Sequence, residues 1–496
     1  MTAAAAPAVS PAATGEQAGV RLARSRRNAE LSLLLLAILL VAAYGATVEA
    51  NVLDTVTPDF WVPAAVLGLV FLALHLAIRW LAPFADPALL PAVALLNGIG
   101  VGFLRRYDLA EAEAADRAEL AIFAGTGGRQ LAWTLASVVL AAGLLAIMRD
   151  HRSLSRYAYT LGLAGLVLMM IPAMLPGEFS EVNNAKLWIR FGGFQIQPGE
   201  FAKLALLTFF AYYLVRKREV LSLASRRVLG IDFPRGRDLG PVLVIWMISI
   251  LVLVFEKDLG TSLLYFGMFV VTLYIATERV SWLLIGLILF FGGAYLAYVL
   301  GGTVGGPFLN FYDRAQIWLD PFAEPLDRGY QIVQGLLTLG TGGLFGAGPG
   351  AGQPTLLPEV QTDFIFAGIG EEIGLFGLSA LLVIYLLIVQ RGLRAALAVR
   401  DSFGKLLAGG LAFTLGFQIF VIVGGISKLI PLTGQTTPFL SAGGSSLMAN
   451  WLLIAILLRI SDGASRPVTP GGPAASRPSG GPPEQLRGAP TEVIRP

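Results

Sequence analysis

Charged side chains beside long apolar stretches are the residues best suited to chemistry in this sequence, because charge near a membrane span is costly and usually functional. Asp363 precedes one such stretch and Glu371 lies inside it, whereas Glu200 and Lys203 open another with an i,i+3 spacing on one helical face. We expect one site to combine these with Lys186, Arg190, Asp258, Arg314 and Lys428. A cation pathway would favour carboxylates alone. The mixture of signs instead indicates a phosphorylated amphiphile, whose phosphates need cations and whose reaction needs a carboxylate for a proton or a metal ion.

Simpler structural roles remain open for most of these residues. Glu200 and Lys203 also fit a local ion pair at a helix end. Three others fit helix caps or an anchor at the membrane interface: Asp258, Asp363 and Trp188. Glu371 and its neighbour Glu372 are harder to explain in this way, since neither capping nor helix propensity accounts for two adjacent carboxylates within a span.

The composition excludes several kinds of catalytic site. Cysteine is absent, so disulfides, thiolate metal sites and cysteine nucleophiles are ruled out. Only two histidines occur, His75 in an apolar stretch and His151 in a basic loop, which argues against an imidazole metal site or a catalytic triad. Of the 496 residues only 14% are charged and 55% are hydrophobic, whereas a soluble domain carries about 25% charged residues. We therefore expect an integral membrane protein.

Membrane-spanning helices must position the candidate residues, because hydrocarbon offers no water to backbone groups and nothing in the chain alternates as barrel strands do. The prediction is an all-α polytopic bundle with about twelve spans, each long enough to cross about 30 Å of hydrocarbon. The predicted spans are 31–49, 61–82, 86–104, 130–148, 156–175, 201–215, 239–255, 260–277, 281–300, 365–390, 404–424 and 444–460.

Basic residues predict the orientation of this bundle. They gather before the first span and after the fourth, sixth and tenth, whereas residues 301–363 contain six acids and two bases. An even number of spans then predicts a cell-membrane protein with both termini in the cytoplasm and a large outer loop at 301–363. Residues 1–30 and 461–496 are predicted to be disordered, and the first span has no cleavage site behind it.

Five motifs, in this order along the chain, resemble those of the SEDS family (shape, elongation, division and sporulation), whose members include RodA and FtsW. They are KLWIRFGGFQIQPGEFAKL (186–204), EKDLGTSL (256–263), GYQIVQGLLTLGTGGLFGAGPG (329–350), LPEVQTDFIFAGIGEEIGLFG (357–377) and PLTGQTTPFLSAGGSSLMANW (431–451). One match of this kind would be weak evidence. Five in sequence order are specific.

The resemblance implies a ten-span catalytic core, here residues 86–460, preceded by two additional spans at 31–85. It implies a peptidoglycan glycosyltransferase that polymerises lipid II at the outer face, with membrane lipid and a class B penicillin-binding protein as partners and no nucleic acid. The essential aspartate of the family corresponds to Asp363. Its other characteristic residues correspond to Lys186, Trp188, Arg190, Glu200, Lys203 and Asp258. The motifs look more like the elongation (RodA) branch, with a septal FtsW-type polymerase or a precursor flippase or transporter as alternatives.

The chain departs from the family pattern at several positions. Gly199 stands where the family usually has serine, Gln361 where it has histidine, and Ala442 where it has an aromatic residue. Glu256 and Lys257 replace the usual Gln-Pro before Asp-Leu-Gly. None of these changes removes a charged residue of the predicted site, but Lys257 adds one whose role the pattern leaves open.

The expected reaction is the displacement of a lipid pyrophosphate from an anomeric carbon by a sugar hydroxyl. Glycosidases use two carboxylates, but a pyrophosphate neutralised by cations leaves readily, so one should suffice. The hypothesis is that Asp363 acts as the base, with inversion, while Lys186, Arg190, Lys203 and a divalent cation (Mg²⁺ or Mn²⁺) hold the pyrophosphate. An ordinary aspartate, with a pKa of about 3.9, is a weak base. The sequence therefore leaves open whether Asp363 is a base in a partly dehydrated site or a ligand of that cation.

Overall fold

Helices make up nearly all of the structure, as expected where hydrocarbon leaves backbone groups without water. The computed structural model describes residues 11–115, 123, 125–182, 185–191, 194–222, 224–228, 231–234, 244, 247, 248 and 258–467. The helices are α1 (Pro11–Leu53), α2 (Pro58–Leu81), α3 (Leu89–Ala114), α4 (Gly125–Ile147), α5 (Ser153–Arg156), α6 (Ala158–Met174), α7 (Gly177–Ser180), α8 (Pro198–Ser222), α9 (Leu259–Thr277), α10 (Val280–Thr303), α11 (Leu309–Leu319), α12 (Tyr330–Gly342), α13 (Ile365–Ala398), α14 (Ser402–Ile426) and α15 (Gly444–Ser465).

Three short antiparallel pairs are the strands of the described residues. They are β1 (Glu181–Val182) with β2 (Ala185–Lys186), β3 (Ile189–Phe191) with β4 (Phe194–Ile196), and β5 (Ala224–Val228) with β6 (Ile231–Pro234). The first two pairs lie between α7 and α8. Lys186 is on β2, Arg190 is on β3, and Trp188 lies between these two strands.

Nine of the described helices are long and apolar enough to cross a membrane, namely α1 to α4, α9, α10 and α13 to α15. The shorter α6 and the more highly charged α8 fall on two further predicted spans. The remaining predicted span, 239–255, lies almost entirely outside the described residues. The chain is thus a multi-pass helical membrane protein, and the predicted fold class is confirmed. α3, α14 and α15 are mostly buried and form the centre, whereas α10 is exposed on nearly all sides.

The predicted disorder of the N-terminus is wrong from residue 11 onward, because α1 begins at Pro11. Arg27 and Glu30 are both buried and form an ion pair of 2.5 Å. The second carboxylate oxygen of Glu30 lies 2.7 Å from Nδ1 of His75 on α2. The charges of Arg27 and Glu30 are thus satisfied by partners inside the bundle.

The predicted disorder of the C-terminus is likewise wrong for its first five residues, 461–465, which continue α15. Asp462 is buried and accepts the backbone N–H of Phe84 at 2.9 Å. Arg466, just beyond the helix, donates to the same carboxylate at 2.7 and 2.9 Å. These contacts explain why the helix extends past the predicted end of the span.

Contacts at the helix ends define two ends of the bundle. At one end, the guanidinium of Arg459 donates to the carbonyl oxygens of Leu81 and Leu145, at the ends of α2 and α4. At the other, the side-chain amide of Asn51, near the end of α1, donates to the carbonyl of Pro349 at 2.7 Å. The candidate site lies at this second end.

A break in α13 shapes this second end. Gly374 has φ 65° and ψ −174°, which interrupts the helical ladder. The donors freed by the break find new acceptors, because the N–H groups of Leu375 and Phe376 donate to Gly343 and Leu344 at 3.0 and 3.1 Å. A Cβ on Gly374 would lie 2.3 Å from the backbone nitrogen of Gly346. Only glycine permits this close contact between the helix and the glycine-rich loop.

Candidate active site around Asp363

Asp363 lies in a tight turn directly before α13. The backbone N–H groups of Thr362 and Phe364 both donate to the carbonyl of Glu359, at 3.0 and 3.2 Å, and Glu359 takes φ 54° to close the turn. The Thr362 hydroxyl lies 3.0 Å from Oδ1 of Asp363. α13 begins after Phe364 without a side-chain cap, so the alternative that Asp363 is an N-cap is wrong. Its half-buried carboxylate is therefore not used to cap the helix and is available to interact with a ligand.

The non-helical segment 431–443, between α14 and α15, fixes the turn that carries Asp363. The Ser441 hydroxyl donates to the carbonyl of Thr362, and the N–H of Ala442 donates to the carbonyl of Gln361 at 2.8 Å. The segment is held in turn by amide side chains from α3, α4 and α14, which are Asn97, Gln130 and Gln418. The turn is therefore anchored to the buried centre of the bundle.

Arg314 of α11 faces the same point from the other side. Its Nη1 donates to the carbonyl of Leu432 at 2.7 Å. A Cβ on Gly434 would lie 3.7 Å from both Nη atoms of Arg314 and 3.9 Å from Oδ2 of Asp363, and Gly434 has φ 69°. A glycine thus separates the guanidinium from the carboxylate. Arg314 forms no ion pair with any described carboxylate, which leaves its remaining donors for an anionic ligand.

Burial determines the protonation of the site. It raises the pKa of the Asp363 carboxyl to about 6, and the charge of Glu359 adds to the rise, while the Thr362 hydrogen bond and the charge of Arg314 oppose it. Burial also raises the pKa of Asp258 above its ordinary value, against its hydrogen bonds from Thr261 and the charge of Arg314. Asp363 is consequently a stronger base than an ordinary aspartate and still mostly ionised at neutral pH.

Asp258 is the N-cap of α9, as the simpler explanation held. Its Oδ1 accepts the backbone N–H groups of Gly260 and Thr261 at 2.9 and 3.2 Å. A Cβ on Gly260 would lie 2.5 Å from the side chain of Gln435, so this helix start packs against the 431–443 segment. Asp258 therefore positions α9 beside the site. The neighbouring Glu256 and Lys257 lie outside the described residues.

Glu200 and Lys203 form the local ion pair that was the simpler alternative. Lys203 is 2% exposed, and its Nζ lies 2.6 Å from Glu200 and 3.2 Å from the side-chain oxygen of Gln418. Gln418 in turn donates to the carbonyl of Thr436 at 3.3 Å. The lysine is thus already neutralised and helps to support the 431–443 segment.

Lys186 and Arg190 lie on the short strands before α8. Neither forms an ion pair or a hydrogen bond with Asp363 or with any other described side chain. The chain leaving β4 is attached near the site, because the N–H of Gln197 donates to the hydroxyl of Ser445 at the start of α15, at 2.9 Å. Lys186 and Arg190 therefore lie at the end of the bundle that carries the site. Neither is paired with a described carboxylate, and neither contacts Asp363 directly.

Trp188 and Lys428 make main-chain contacts. The N–H of Trp188 donates to the carbonyl of Ser180 at 3.3 Å. Lys428 has φ 61°, and its carbonyl accepts the indole N–H of Trp318 at 3.1 Å. Trp318 is one turn from Arg314 on α11, so the backbone of Lys428 helps to fix the helix that carries the arginine.

Glu371 lies against the glycine-rich loop. Its Oε2 accepts the backbone N–H of Gln353 at 3.0 Å, and its Oε1 lies 3.3 Å from the hydroxyl of Thr341. No hydrogen bond joins it to Asp363 in the described structure. These contacts hold the loop in place and leave the predicted role of Glu371 in substrate binding without direct support.

Two residues that were not expected from the sequence bind the adjacent Glu372. Nε of Arg106 lies 3.3 Å from the Glu372 carboxylate, and the hydroxyl of Tyr44 donates to it at 3.2 Å. Arg106 also donates to the carbonyl of Gly352 at 2.7 Å. The signal was present, because Arg105 and Arg106 directly follow an apolar stretch. Their partners could not be found from the sequence, since Tyr44 lies more than 300 positions from Glu372.

A protein-only metal cage is not found in the described residues, where no group of three or more His, Cys, Asp or Glu side chains could hold an ion. Magnesium is often held by one or two carboxylates together with substrate phosphates. Asp363 fits that second arrangement, because among the described residues its carboxylate bonds only within its own turn.

Comparison with known proteins identifies the family. The cell cycle protein family of FtsW, RodA and SpoVE matches residues 87–466. The chain belongs to the FtsW, RodA and SpoVE family. The predicted family is thus confirmed, and the match begins directly after the first two helices.

Several members of the FtsW, RodA and SpoVE family resemble the chain. The peptidoglycan glycosyltransferase RodA of Mycobacterium tuberculosis is 50% identical over 448 residues, which cover 90% of this chain and 92% of the relative. The RodA of Mycobacterium leprae is 49% identical over the same length. A probable peptidoglycan glycosyltransferase FtsW of Geobacter metallireducens is 35% identical over 332 residues, covering 65% of this chain and 81% of the relative.

Solved structures of the FtsW, RodA and SpoVE family share the fold. A chain of a peptidoglycan synthase complex that coordinates polymerization and crosslinking superimposes with a TM-score of 0.57, at 26% identity, over 76% of this chain and 97% of the other. The rod shape determining protein RodA of Thermus thermophilus gives a TM-score of 0.51 at 25% identity, over 77% of this chain and 98% of the other.

Proposed function

We propose that the chain is a peptidoglycan glycosyltransferase that polymerises lipid II into glycan strands during cell elongation, with Asp363 as its base. One observation carries the proposal: a half-buried carboxylate with a pKa of about 6 lies across Gly434 from a guanidinium that forms no ion pair with any described carboxylate. Similarity to RodA enzymes over 90% of the chain supports the reaction class.

The proposed step uses Asp363 on the acceptor sugar. Its ionised carboxylate takes the proton of the acceptor hydroxyl while that oxygen forms a bond to the anomeric carbon of the donor. The bond from this carbon to the diphosphate oxygen breaks, and the diphosphate leaves with the electron pair. Attack opposite the leaving group inverts the anomeric carbon. A raised pKa suits this role, because general bases work best with pKa values near the operating pH.

Arg314 is the residue best placed to stabilise the departing diphosphate. It is fixed through Leu432, its other donors have no partner among the described residues, and an arginine matches phosphate oxygens in geometry as well as charge. Lys186 and Arg190 are further candidates, because neither is neutralised by a described carboxylate. Lys203 is replaced in this role by Arg314, since Glu200 already binds it.

A divalent cation, Mg²⁺ or Mn²⁺, is proposed as an additional group that the carboxylate of Asp363 would help to hold. It would supply positive charge to the leaving group. The chain's own contribution would be the carboxylate of Asp363, and the proton transfer described above does not depend on the ion.

The proposed location of the site is the outer face of the cell membrane, with both termini in the cytoplasm. Support comes from the basic residues near Arg149 and Arg400, which share the end of the bundle opposite Asp363. A class B penicillin-binding protein is the proposed partner, in line with the similarity to a chain of a peptidoglycan synthase complex. The elongation branch is favoured over the septal one, because RodA relatives match at 50% identity and the FtsW relative at 35%.

Purified chain, its partner and labelled lipid II test the proposal. Native protein should yield glycan chains, and Asp363→Asn should abolish them. Asp313→Asn is the matched control, because Asp313 is next to Arg314 but pairs with Arg328 at 3.5 Å. Substantial polymerisation by Asp363→Asn would disprove the catalytic role. Movement of lipid II across the membrane without glycan formation would favour the flippase alternative.

A further inference from the structure

A polar cavity at the end of the bundle opposite Asp363 has no part in the proposed reaction. It has a volume of about 230 Å³ and lies among the ends of α4, α13 and α15. Since α13 begins beside Asp363 and ends before this cavity, the length of the helix separates the two. Five arginines line it, together with three aspartates and His151: Arg149, Arg152, Arg400, Arg459 and Arg466.

Two of the aspartates are fully occupied by neighbouring groups. Asp401 caps α14 through the N–H of Gly404 at 2.7 Å and also binds Nε2 of His151 at 2.8 Å and Nε of Arg152 at 3.4 Å. These contacts hold the pKa of Asp401 below its ordinary value although burial acts against them. This carboxylate therefore stays ionised and fixes the position of His151 and Arg152.

The second aspartate, Asp462, is shared in the same way. Arg466 lies 2.7 Å and Arg459 3.6 Å from its Oδ2. One carboxylate thus faces two guanidinium groups. The cavity carries more positive than negative charge, because its five arginines exceed its three aspartates.

Three of the arginines keep donors that have no partner among the described residues. Arg149 and Arg400 are exposed and form no hydrogen bond or ion pair with any described residue. Arg459 is 3% exposed, and its buried Nε has no hydrogen-bond partner in the described structure. A buried unpaired donor on a charged side chain is costly unless a ligand satisfies it.

We propose that this cavity binds a phosphate group, as part of a phosphorylated ligand at the cytoplasmic end of the protein. Several guanidinium groups around one space match the charge and the bidentate geometry of phosphate. The volume of 230 Å³ is larger than a single phosphate needs, since a water molecule occupies about 30 Å³ in the liquid. The space accommodates a larger phosphate-bearing group, such as an anionic lipid headgroup or a soluble phosphate ester.

Binding should stabilise the protein, because the ligand would join α4, the α13–α14 connection and α15. The test uses the purified full-length chain in neutral detergent and follows its thermal unfolding. One arm adds short-chain phosphatidylglycerol, with phosphatidylcholine of the same chain length as the neutral comparison. The other arm adds sodium phosphate and glycerol phosphate at constant ionic strength. Affinities follow from the concentration dependence of the stabilisation.

The double variant Arg149→Gln/Arg400→Gln removes two exposed arginines of the cavity. We expect its affinity to fall about tenfold for each arginine, which is the effect of losing a charge-assisted hydrogen bond. Arg394→Gln is the matched control, because Arg394 is exposed near the same end of α13 but does not line the cavity. Its affinity should stay within about twofold of native. Glycan synthesis by both variants verifies that they are folded.

Each outcome bears on the proposal. Stabilisation of the native protein by phosphatidylglycerol alone identifies a lipid headgroup as the source of the phosphate. Stabilisation by the soluble phosphates as well identifies a soluble ligand. Stabilisation by neither overturns the proposal. It is also overturned if Arg394→Gln weakens binding as much as the double variant, because the effect would then be general attraction to a basic surface.

Discussion

Acidification should stop glycan synthesis through one titration near pH 6. Burial raises the pKa of Asp363 to about 6, and a base acts only in its ionised form. About 90% of the carboxylate is then ionised at pH 7 and about 10% at pH 5, whereas an ordinary aspartate with a pKa of about 3.9 would remain about 90% ionised at pH 5. We therefore expect kcat/KM for lipid II to fall about tenfold between pH 7 and pH 5.

The assay is the initial rate of glycan formation at subsaturating lipid II, in buffers of constant ionic strength. Returning the protein from pH 5 to pH 7 should restore the rate, which separates titration from unfolding. A rate that is unchanged down to pH 5 would refute the assignment of Asp363 as a base in a partly dehydrated site.

The same shift predicts that Asp363→Asn is more stable than the native protein at pH 7. The pKa is higher in the folded state than in the unfolded one, so the stabilisation from protonation is present below about pH 4 and lost as the pH rises through 6. A shift of two units corresponds to about 3 kcal/mol. Asp363 is only half-buried and solvent reduces this value, so we expect about 1 kcal/mol. Thermal unfolding measures it, and a lower Tm for the variant at pH 7 would contradict the reasoning.

Three substitutions test the geometry around the carboxylate and the bend in α13. Arg314→Gln should lower kcat by about 100-fold, which is the effect of losing one hydrogen-bond donor to the transition state. The kcat of the control variant Asp313→Asn should stay close to the native value. Equal kcat values for the two variants would exclude Arg314 from the site. Gly434→Ala introduces a Cβ 3.7 Å from the guanidinium of Arg314 at a residue with φ 69°. We therefore expect lost activity and about 1 kcal/mol of backbone strain. Gly443→Ala is the control and should show neither effect, because Gly443 has extended backbone at φ 169°. Gly374→Ala should reduce the folded yield severely, by more than about 3 kcal/mol, because its Cβ would overlap backbone 2.3 Å away; normal thermal unfolding of this variant would mean that the bend can relax.

The sequence was sufficient for the helical architecture and for the family. Apolar stretches of membrane-spanning length predict helices because no other spanning structure satisfies the backbone, and eleven of the twelve predicted spans fall on described helices. The predicted disorder of residues 11–30 and 461–465 is wrong for one physical reason. Charged residues such as Glu30 and Asp462 look solvated in a sequence, and only the folded protein shows their buried partners.

The candidate site was predictable in its residue types but not in its pairing. Asp363 and Arg314 were both expected, and the structure places them on either side of Gly434. The sequence could not show that Glu200 neutralises Lys203, because i,i+3 spacing is equally compatible with a shared ligand site. Pairing depends on which helices are neighbours, and that follows from packing of the whole bundle.

The anchoring of the turn that carries Asp363 explains how two unusual residues are accommodated. Gln361 and Ala442 both differ from the usual family pattern, yet they meet through the N–H of one and the carbonyl of the other, at 2.8 Å. Every amino acid except proline supplies these two groups. A change of either side chain to any residue other than proline therefore leaves this main-chain bond available to hold the turn of Asp363.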